Sequence, residues 1–486
     1  MTDAEKYVPP GKKAAGGRGG NAGGGAGGRA DEGGGVLPLT DEVRGIVEDM
    51  NRTHAFVLAG ADALILREGV DAWGESEVRF VKIGAFKHLW GNHALDLGKK
   101  DPVTFADIWL TSALRRQYLG VCFAPEGDAP EDYYNLWRGF AVEPAEGDVE
   151  PFIRHVREVL AAGNDGHADH IVGWFADIVQ NPGAKCETSI LFRGDEGTGK
   201  TLPGRIVGSL FPAHYALIDD PRYLTGNFNV HMETCLLLQA DESFWAGDKT
   251  AEGRLKGLVT SDVHFIERKG VDAYRVRNLI RLMVTSNNDW MVPAGYGSRR
   301  WAVFDAANTH KDDGDYFAEL AGWWHAEGSR AALLHFLLNV DLGMIDLRRI
   351  PDTTALYEQR VSSMDVVDAW WYSRLVAGSI LPGHEDWIAE VPCDALWESY
   401  VRYAEKVGEK RKRVEVQLGI AFQRRLLPRG WPKRRRAYVS VDDGFGNTIP
   451  KRKRVYVFPP LDECRAHMQA LLSGHEIDWG SEGEGE

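Results

Sequence analysis

The sequence predicts a chain of the α/β class, and three observations indicate it. Between Thr188 and Ala306, short apolar runs alternate with helical stretches, which is typical of a sheet covered by helices. One of these runs is followed at once by a glycine-rich loop, and a later run ends in two adjacent carboxylates. The 486 residues are 44% hydrophobic and 26% charged, which is a globular composition. The length suggests about two to four domains.

Composition argues against several classes of protein. The five cysteines lie far apart without a CxxC pair, so neither a zinc ribbon nor a disulfide framework is indicated. His167 and His170 lie in a turn rich in Gly, Asn and Asp, which favours surface or helix-capping roles over metal binding. No run approaches the roughly 18 apolar residues of a membrane span, and the N-terminus lacks an apolar leader segment. We therefore expect no membrane association and a cytoplasmic location.

The chain divides into five predicted segments. Between Gly16 and Gly35, 12 of 20 residues are Gly, and such a stretch cannot bury enough apolar surface to become ordered. In chain order we predict a disordered tail (1–35), a small mixed α/β domain (36–165), the central α/β core (166–310), a helical region (311–365) and a basic C-terminal domain (366–486).

The loop that follows the strand-like run Ser189–Phe192 carries the first candidate site. It fits the pattern GxxxxGK[ST] at every defined position, with Gly194, Asp195, Glu196, Gly197, Thr198, Gly199, Lys200 and Thr201. Glycines let backbone N–H groups surround phosphate oxygens, and the start of the following helix adds positive potential. Lys200 is predicted to neutralise charge on the β- and γ-phosphates, and the Thr201 hydroxyl to ligate Mg²⁺. The motif therefore predicts binding of ATP and Mg²⁺.

Two further apolar runs end in groups that suit the same chemistry. The first ends in Asp241 and Glu242, and Asp241 lies 41 positions after the lysine of the loop. Asp241 is predicted to hold Mg²⁺ through water, and Glu242 to orient the water that attacks the γ-phosphate. The second run ends in Ser-Asn-Asn, where the uncharged amide of Asn287 is predicted to sense the γ-phosphate. Arg299 and Arg300 follow just before another strand-like run, where an arginine would stabilise transition-state charge on a neighbouring subunit's nucleotide.

These elements, in this order and spacing, resemble the superfamily 3 helicases, which are AAA+ motors of small DNA viruses, phages and plasmids. The resemblance extends in particular to the helicase part of phage primase-helicase and primase-polymerase fusion proteins, and it covers roughly residues 150–310. It implies a P-loop NTPase core, a hexameric ring and action on single-stranded or forked DNA. It also implies that Arg300 is the arginine finger, because it directly precedes the Trp301–Phe304 strand, with the adjacent Arg299 as the alternative.

The resemblance adds two expectations outside the nucleotide site. The segment 263–277 matches the DNA-tracking hairpin of the family, with Lys269 near its tip to hold a phosphate; a solvated turn lysine is the alternative. Phage relatives often carry a primase-polymerase domain, but the segment 36–165 shows no paired metal-binding carboxylates. We therefore expect no primer synthesis from this chain and a separate primase or polymerase as a partner.

The formal net charge of −14 hides a basic segment. Residues 401–460 carry 17 Lys and Arg against 5 Asp and Glu, with Phe422, Trp431 and Tyr438 among them. Basic residues bind phosphates and aromatic rings stack on bases, so the segment is predicted to contact nucleic acid. Its candidate contacts are Lys410, Arg411, Lys412, Arg413, Lys433, Arg434, Arg435 and Arg436. An amphipathic helix followed by strands at about 437–441 and 455–458 is typical of a winged-helix-like module; a solvated charged face is the alternative.

Three functions from different classes fit these features. The first is an ATP-dependent replicative DNA helicase that works as a ring. The second is an ATP-regulated DNA-binding initiator or scaffold without unwinding activity of its own. The third, an AAA+ protein remodeller, is disfavoured by the basic segment. Unwinding that is lost when Lys200 is replaced by Ala distinguishes the first from the second.

Overall fold

The structure is a computed structural model, and it describes residues 40–60, 62–72, 74, 76–98, 100–127, 129–226, 229–241, 249–268, 271–384, 386–409, 415–442, 448–472 and 475–479. No helix in these ranges combines the length and the apolarity that crossing a membrane requires.

The N-terminal part is a mixed α/β unit. Its elements are α1 (Asp41–Asn51), β1 (His54–Ala59), β2 (Asp62–Val70), β3 (Ser76–Lys82), α2 (Ile83–Leu89), β4 (Ala94–Leu95), β5 (Val103–Thr104), α3 (Phe105–Thr111), β6 (Gln117–Tyr118), β7 (Gly120–Cys122) and β8 (Tyr133–Asn135). The Thr40 hydroxyl caps α1, which buries Val43, Val47 and Met50, one turn apart along one face. The sheet order is β3-β2-β1-β6, and Tyr134 on β8 joins the core of the central part.

The central part holds the predicted sheet. Its elements are α4 (Glu150–His155), α5 (Asp165–Gln180), β9 (Ser189–Arg193), α6 (Leu202–Gly208), β10 (Tyr215–Ile218), α7 (Pro221–Thr225), β11 (Leu237–Asp241), α8 (Lys249–Thr260), β12 (Val263–Arg268), β13 (Val271–Arg277), β14 (Arg281–Ser286) and β15 (Trp301–Asp305). Five strands in the order β10-β11-β14-β9-β15 are all parallel, so the α/β prediction for this region is confirmed. The β12–β13 pair forms a separate antiparallel hairpin.

Helices cover both faces of the parallel sheet, which explains why its strands read as unbroken apolar runs. On one face, Ile190 and Phe192 of β9 pack with Trp174 and Phe175 of α5. On the other face, Leu191 lies in a second cluster that includes residues of α8 and of the β12–β13 hairpin. All six residues of β14 are buried, including Arg281, whose guanidinium pairs with Asp177 of α5.

The remaining chain is helical and then mixed. Its elements are α9 (Gly314–His325), α10 (Ser329–Leu338), α11 (Thr354–Ser362), α12 (Val366–Val376), β16 (Glu390–Pro392), α13 (Cys393–Lys406), α14 (Glu415–Ala421), β17 (Lys433–Asp442), β18 (Thr448–Val457) and α15 (Leu461–Leu471). The last three strands form an antiparallel sheet in the order β16-β18-β17, over a core that includes Trp370, Trp371 and Phe422. Both predicted strands of the basic segment exist, but they are longer than expected.

Candidate functional site

Three of the predicted site elements lie together at the carboxyl edge of the parallel sheet. The loop 194–201 leaves the end of β9, Asp241 ends β11, and Asn287 directly follows β14. In the sheet, β14 lies between β9 and β11, so the three ends are neighbours although they are 45 or more positions apart in sequence. Ligands of open α/β sheets bind at this edge, where strand order reverses, because helix N-termini and loop amides point there.

The loop itself requires glycine at two positions. Gly197 and Gly199 have φ angles of +81° and +82°, which side chains other than glycine rarely adopt. A Cβ at Gly197 would lie 2.6 Å from Asp312 Oδ1, and one at Gly199 would lie 2.6 Å from Phe317 Cε1. The backbone of the loop therefore forms a cradle around a small space, and side chains in place of these two glycines would fill that space.

Lys200 and Asn287 meet at the mouth of this cradle. The side chain of Lys200 is buried, with 5% exposure of the residue. Its Nζ donates to the Asp195 carbonyl oxygen over 3.0 Å and to the Asn287 amide oxygen. One amine and one amide thus lie together at the ends of β9 and β14.

The second cluster joins Thr201 and Asp241. The Thr201 hydroxyl lies 3.3 Å from both carboxylate oxygens of Asp241. The Thr285 hydroxyl at the end of β14 also donates to Asp241. A hydroxyl and a carboxylate beside a phosphate site are the donors that Mg²⁺ takes in proteins, together with phosphate oxygens and water. No group of three or more His, Cys, Asp or Glu side chains in the described ranges is arranged to hold a metal ion by itself.

Gln239 holds the loop to the sheet. Its Nε2 donates to the Thr201 carbonyl oxygen over 3.0 Å, and its Oε1 accepts from the Tyr215 hydroxyl over 2.7 Å. α6 approaches β11 so closely here that a Cβ at Gly204 would lie 2.1 Å from the same Oε1. Gln239 is the one polar residue in the run Leu236–Ala240, and this interruption is the sequence signal that could have indicated its role.

His155 supports the loop from behind. The residue is fully buried in α4, with Nε2 3.1 Å from the Gly199 carbonyl oxygen and Nδ1 3.0 Å from the Tyr316 hydroxyl. Burial lowers the pKa of His155 to about 4. Because a carbonyl oxygen only accepts, Nε2 carries the proton and Nδ1 accepts from Tyr316. Nothing in the local pattern predicts this contact, since Gly199 lies 44 positions away.

The segment after β15 closes the outer side of the loop. Lys311 Nζ and Asn308 Nδ2 lie 2.8 Å and 3.1 Å from Asp195 Oδ2. These contacts, that of Lys311 first, lower the pKa of the Asp195 carboxyl. Sequence reasoning missed both residues, because neither belongs to a motif. Together they fix the loop to the chain that follows the last strand of the sheet.

Arg299 and Arg300 lie at the opposite edge of the sheet. The Arg300 carbonyl oxygen accepts from the Ser189 amide, which pairs the start of β15 with the start of β9. Five residues of extended strand, about 16 Å, separate this edge from the loop. Arg299, Arg300 and Arg348 line a cavity of about 370 Å³ there. Arg300 Nε is buried, and no described residue accepts a hydrogen bond from it.

Several predicted residues lie outside the described ranges. These are Glu242, Lys269, Lys410, Arg411, Lys412 and Arg413. Lys433, Arg434, Arg435 and Arg436 are on β17 and are exposed. His167 is half-buried, whereas His170 is buried inside α5 near Phe304, with its pKa lowered to about 4 by burial. A surface or capping role for His170 is therefore not what the packing shows.

Comparisons with known proteins match parts of this chain. A family model described as "Family of unknown function (DUF5906)" matches residues 192–300, from the end of β9 to Arg300. A DNA primase-polymerase of Nitratiruptor phage NrS-1 is 24% identical over 165 residues, which is 33% of this chain and 22% of that protein. The matched segment is thus about a fifth of the relative's length.

Solved structures of the NrS-1 C-terminal region show the same fold over more of the chain. One apo structure covers 86% of this chain and 100% of that region, with a TM-score of 0.60 and 15% identity. A second, in the A form, covers 85% and 98%, with a TM-score of 0.57 and 14% identity. The mixed α/β architecture with its five-stranded parallel sheet is therefore similar to the C-terminal region of a phage primase-polymerase.

Proposed function

We propose that this chain is an ATP-dependent DNA helicase of phage replication, of the superfamily 3 AAA+ type. One observation carries the proposal: Lys200, Thr201, Asp241 and Asn287 come together at the carboxyl edge of a parallel sheet, around a loop that needs its glycines. The likeness to a phage DNA primase-polymerase supports a role in replication.

Each residue of the site has a separate role in ATP hydrolysis. Backbone amides of the 194–201 loop and the Lys200 amine bind the phosphates of ATP, and Asn287 contacts the γ-phosphate that Lys200 also faces. Thr201 and Asp241 are the residues that hold Mg²⁺, which offsets phosphate charge when bound. Glu242 orients the attacking water and accepts its proton.

The position of Arg300 favours a ring. Because it lies at the amino edge of the sheet, about 16 Å of strand from its own loop, it serves the nucleotide of a neighbouring copy. Arg299 is the alternative, since it lines the same cavity. We propose that the copies form a hexamer, that Lys269 contacts single-stranded DNA in the channel, and that a separate primase or polymerase works with the ring.

Strand separation on forked DNA tests the proposal. Wild-type protein, ATP and Mg²⁺ should unwind a fork with a single-stranded tail, and forks with only a 3′ or only a 5′ tail give the direction. Lys200→Ala removes the phosphate-binding amine and should abolish both unwinding and ATP hydrolysis. Arg205→Ala is the matched control, because it removes one positive charge from an exposed residue of α6 outside the 194–201 loop.

One outcome would contradict the helicase activity, and another would contradict the assigned site. DNA-stimulated ATP hydrolysis without strand separation would favour the initiator or scaffold. Unwinding that persists in Lys200→Ala would place the chemistry elsewhere.

A further inference from the structure

The β17–β18 hairpin has two chemically different faces. Strand residues alternate between faces, and residues directly opposite across an antiparallel ladder share a face. One face, called here the arginine–tyrosine face, carries the pairs Arg434 with Tyr456, Arg436 with Arg454 and Tyr438 with Arg452. The other, called the paired face, carries Lys433 with Val457, Arg435 with Val455, Ala437 with Lys453 and Val439 with Lys451. The basic run 433–436 is thus divided between both faces.

On the paired face, the basic side chains near the base of the hairpin already have partners. Arg435 pairs with Glu390 of β16. Lys453 Nζ lies 2.6 Å from a carboxylate oxygen of Asp394, at the start of α13. Lys433 Nζ lies 4.7 Å from the ring centre of Trp431. Carboxylates thus neutralise two of these three cations. Beyond Lys453, farther from the base of the hairpin, this face carries Lys451.

The arginine–tyrosine face carries three arginine side chains, those of Arg436, Arg452 and Arg454. Among the described residues none forms an ion pair or hydrogen bond with the side chains of Arg436, Arg452 or Arg454. Arg436 and Arg454 face each other directly, an arrangement of like charges that destabilises a sheet. Tyr438 lies beside them with 74% of its surface exposed. An unneutralised cluster with a bare aromatic ring indicates an anionic, ring-containing partner.

This face lies on the side of the sheet that holds α14. At its base, the Arg434 guanidinium lies over the Tyr456 ring, and a Cβ at Gly419 of α14 would touch both side chains. Further out, Arg454 and Glu415 both act on the Cys393 thiol, whose pKa is raised mainly by burial. The cluster is therefore continuous with the start of α14, and in the sequence Lys410–Arg413 come just before that helix.

We propose that the arginine–tyrosine face binds single-stranded DNA, with Arg436, Arg452 and Arg454 on phosphates and Tyr438 stacked on a base. Successive residues on one face are about 6.6 Å apart along a strand, which gives an extended backbone regularly spaced cations. Stacking on an exposed ring needs a base whose face is open, and a duplex hides that face between base pairs. The choice of DNA as partner rests on the proposed function; the choice of face rests on the hairpin alone.

Salt-dependent binding of the full chain to a fluorescent oligothymidine tests the face. The test variant replaces Arg436, Arg452 and Arg454 by Gln, and the matched control replaces Lys433, Arg435 and Lys453 by Gln. Both lose three positive charges from one hairpin. Each phosphate contact contributes about 0.7 to the slope of log K against log salt for a single strand. The test variant should therefore lower the slope by about 2, and the control should leave it nearly unchanged.

Tyr438→Ala separates stacking from charge. It should weaken binding of the oligothymidine about 5-fold to 140-fold, the effect of losing one stacked base, without changing the salt slope. Circular dichroism and ATP hydrolysis without DNA, measured on every variant, report whether the fold is intact. A Tyr438→Ala protein that binds as wild type would overturn the stacking contact.

The outcomes separate this inference from the proposed function. Equal loss of slope in the test and control variants would overturn the choice of face, even if the wild type unwinds DNA. Tighter binding of the same face to duplex than to oligothymidine would overturn the single-strand assignment. If the wild type neither hydrolyses ATP nor unwinds DNA, yet only the test variant loses DNA binding, the face stands and the helicase does not.

Discussion

Replacing His155 by Phe should weaken the attachment of the 194–201 loop, and the loss should depend on pH. The ring joins the Gly199 carbonyl oxygen and the Tyr316 hydroxyl by bonds of 3.1 Å and 3.0 Å. Phe has a similar size but makes neither bond. Each typical intramolecular hydrogen bond contributes about 0.5–1.5 kcal/mol to stability. At pH 7 the free energy of unfolding should therefore fall by about 1–3 kcal/mol.

The dependence on pH follows from the pKa of His155, which burial lowers to about 4 in the folded protein. An unfolded His has a pKa of about 6.5, so unfolding takes up a proton at any pH between these values. The contribution of His155 is complete above pH 6.5 and is lost as the pH falls towards 4. Between pH 7 and pH 5 the wild type should lose about 2 kcal/mol through this residue. Phe does not titrate, so the gap between the two proteins should shrink by that amount.

Urea unfolding of both proteins at pH 7 and pH 5, followed by circular dichroism, measures the gap. Other buried histidines titrate in both proteins and cancel in the difference. Tyr316→Phe is the control, because it removes one hydrogen bond and leaves His155 able to titrate, so its gap to the wild type should change little with pH. A His155→Phe gap that is equal at the two pH values would refute the neutral, buried assignment of the ring.

Two further predictions concern the sheet and the assembly. Gly204→Ala should lower the free energy of unfolding by about 1–3 kcal/mol in the same urea assay, because its Cβ would lie 2.1 Å from a side-chain oxygen of β11. Gly322→Ala is the control, because Gly322 is an exposed residue of α9 and the added Cβ would have nothing within 4 Å. This variant should instead be neutral or stabilising. Arg300→Ala should bind ATP without hydrolysing it, and mixing it with Glu242→Gln subunits should restore part of the turnover. No recovery in any mixture would contradict an arginine that acts between subunits.

The sequence predicts the strands of the site well, because their apolar runs have a physical cause. A parallel strand covered on both faces is mostly apolar, so the runs 190–192 and 282–284 indicate strands without any contact information. The polar residues at their ends then fall at one edge. The order of the strands is different: β14 lies between β9 and β11, and only the packing of the crossover helices decides that order.

The residues that support the 194–201 loop could not be predicted, because their contacts join positions that are far apart in the sequence. His155 and Tyr316 lie 161 positions apart, in helices that also carry charged residues, so neither stands out in its local sequence. Gln239 is nearer to a detectable signal, because a fully buried strand rarely includes an amide without a specific hydrogen bond. A pattern of residue types along the chain carries no information about which buried groups are paired.

In the basic segment, the position of a strand boundary determines which residues share a face of the hairpin. When 433–436 is treated only as a run of positive charge, its four residues are equivalent candidate contacts for nucleic acid. Because β17 begins at Lys433 and not near Ala437 as predicted, alternation applies to the run, and its residues separate into neutralised and unneutralised sides. Arg452 and Arg454, which were not among the predicted contacts, then join Arg436 on one surface.

The positions of the two arginine groups suggest how hydrolysis and DNA binding are connected. Each strand of the parallel sheet is only about five residues long. The loop 194–201 at the carboxyl edge and Arg300 at the amino edge are therefore held at a fixed separation within one chain. In the proposed function, hydrolysis requires a second copy whose amino edge faces the loop. The arginine–tyrosine face belongs to a different sheet from the one that positions the loop and Arg300, so we expect each copy to bind DNA there before assembly. A strand bound by several copies would raise their local concentration and so promote the contact that hydrolysis needs.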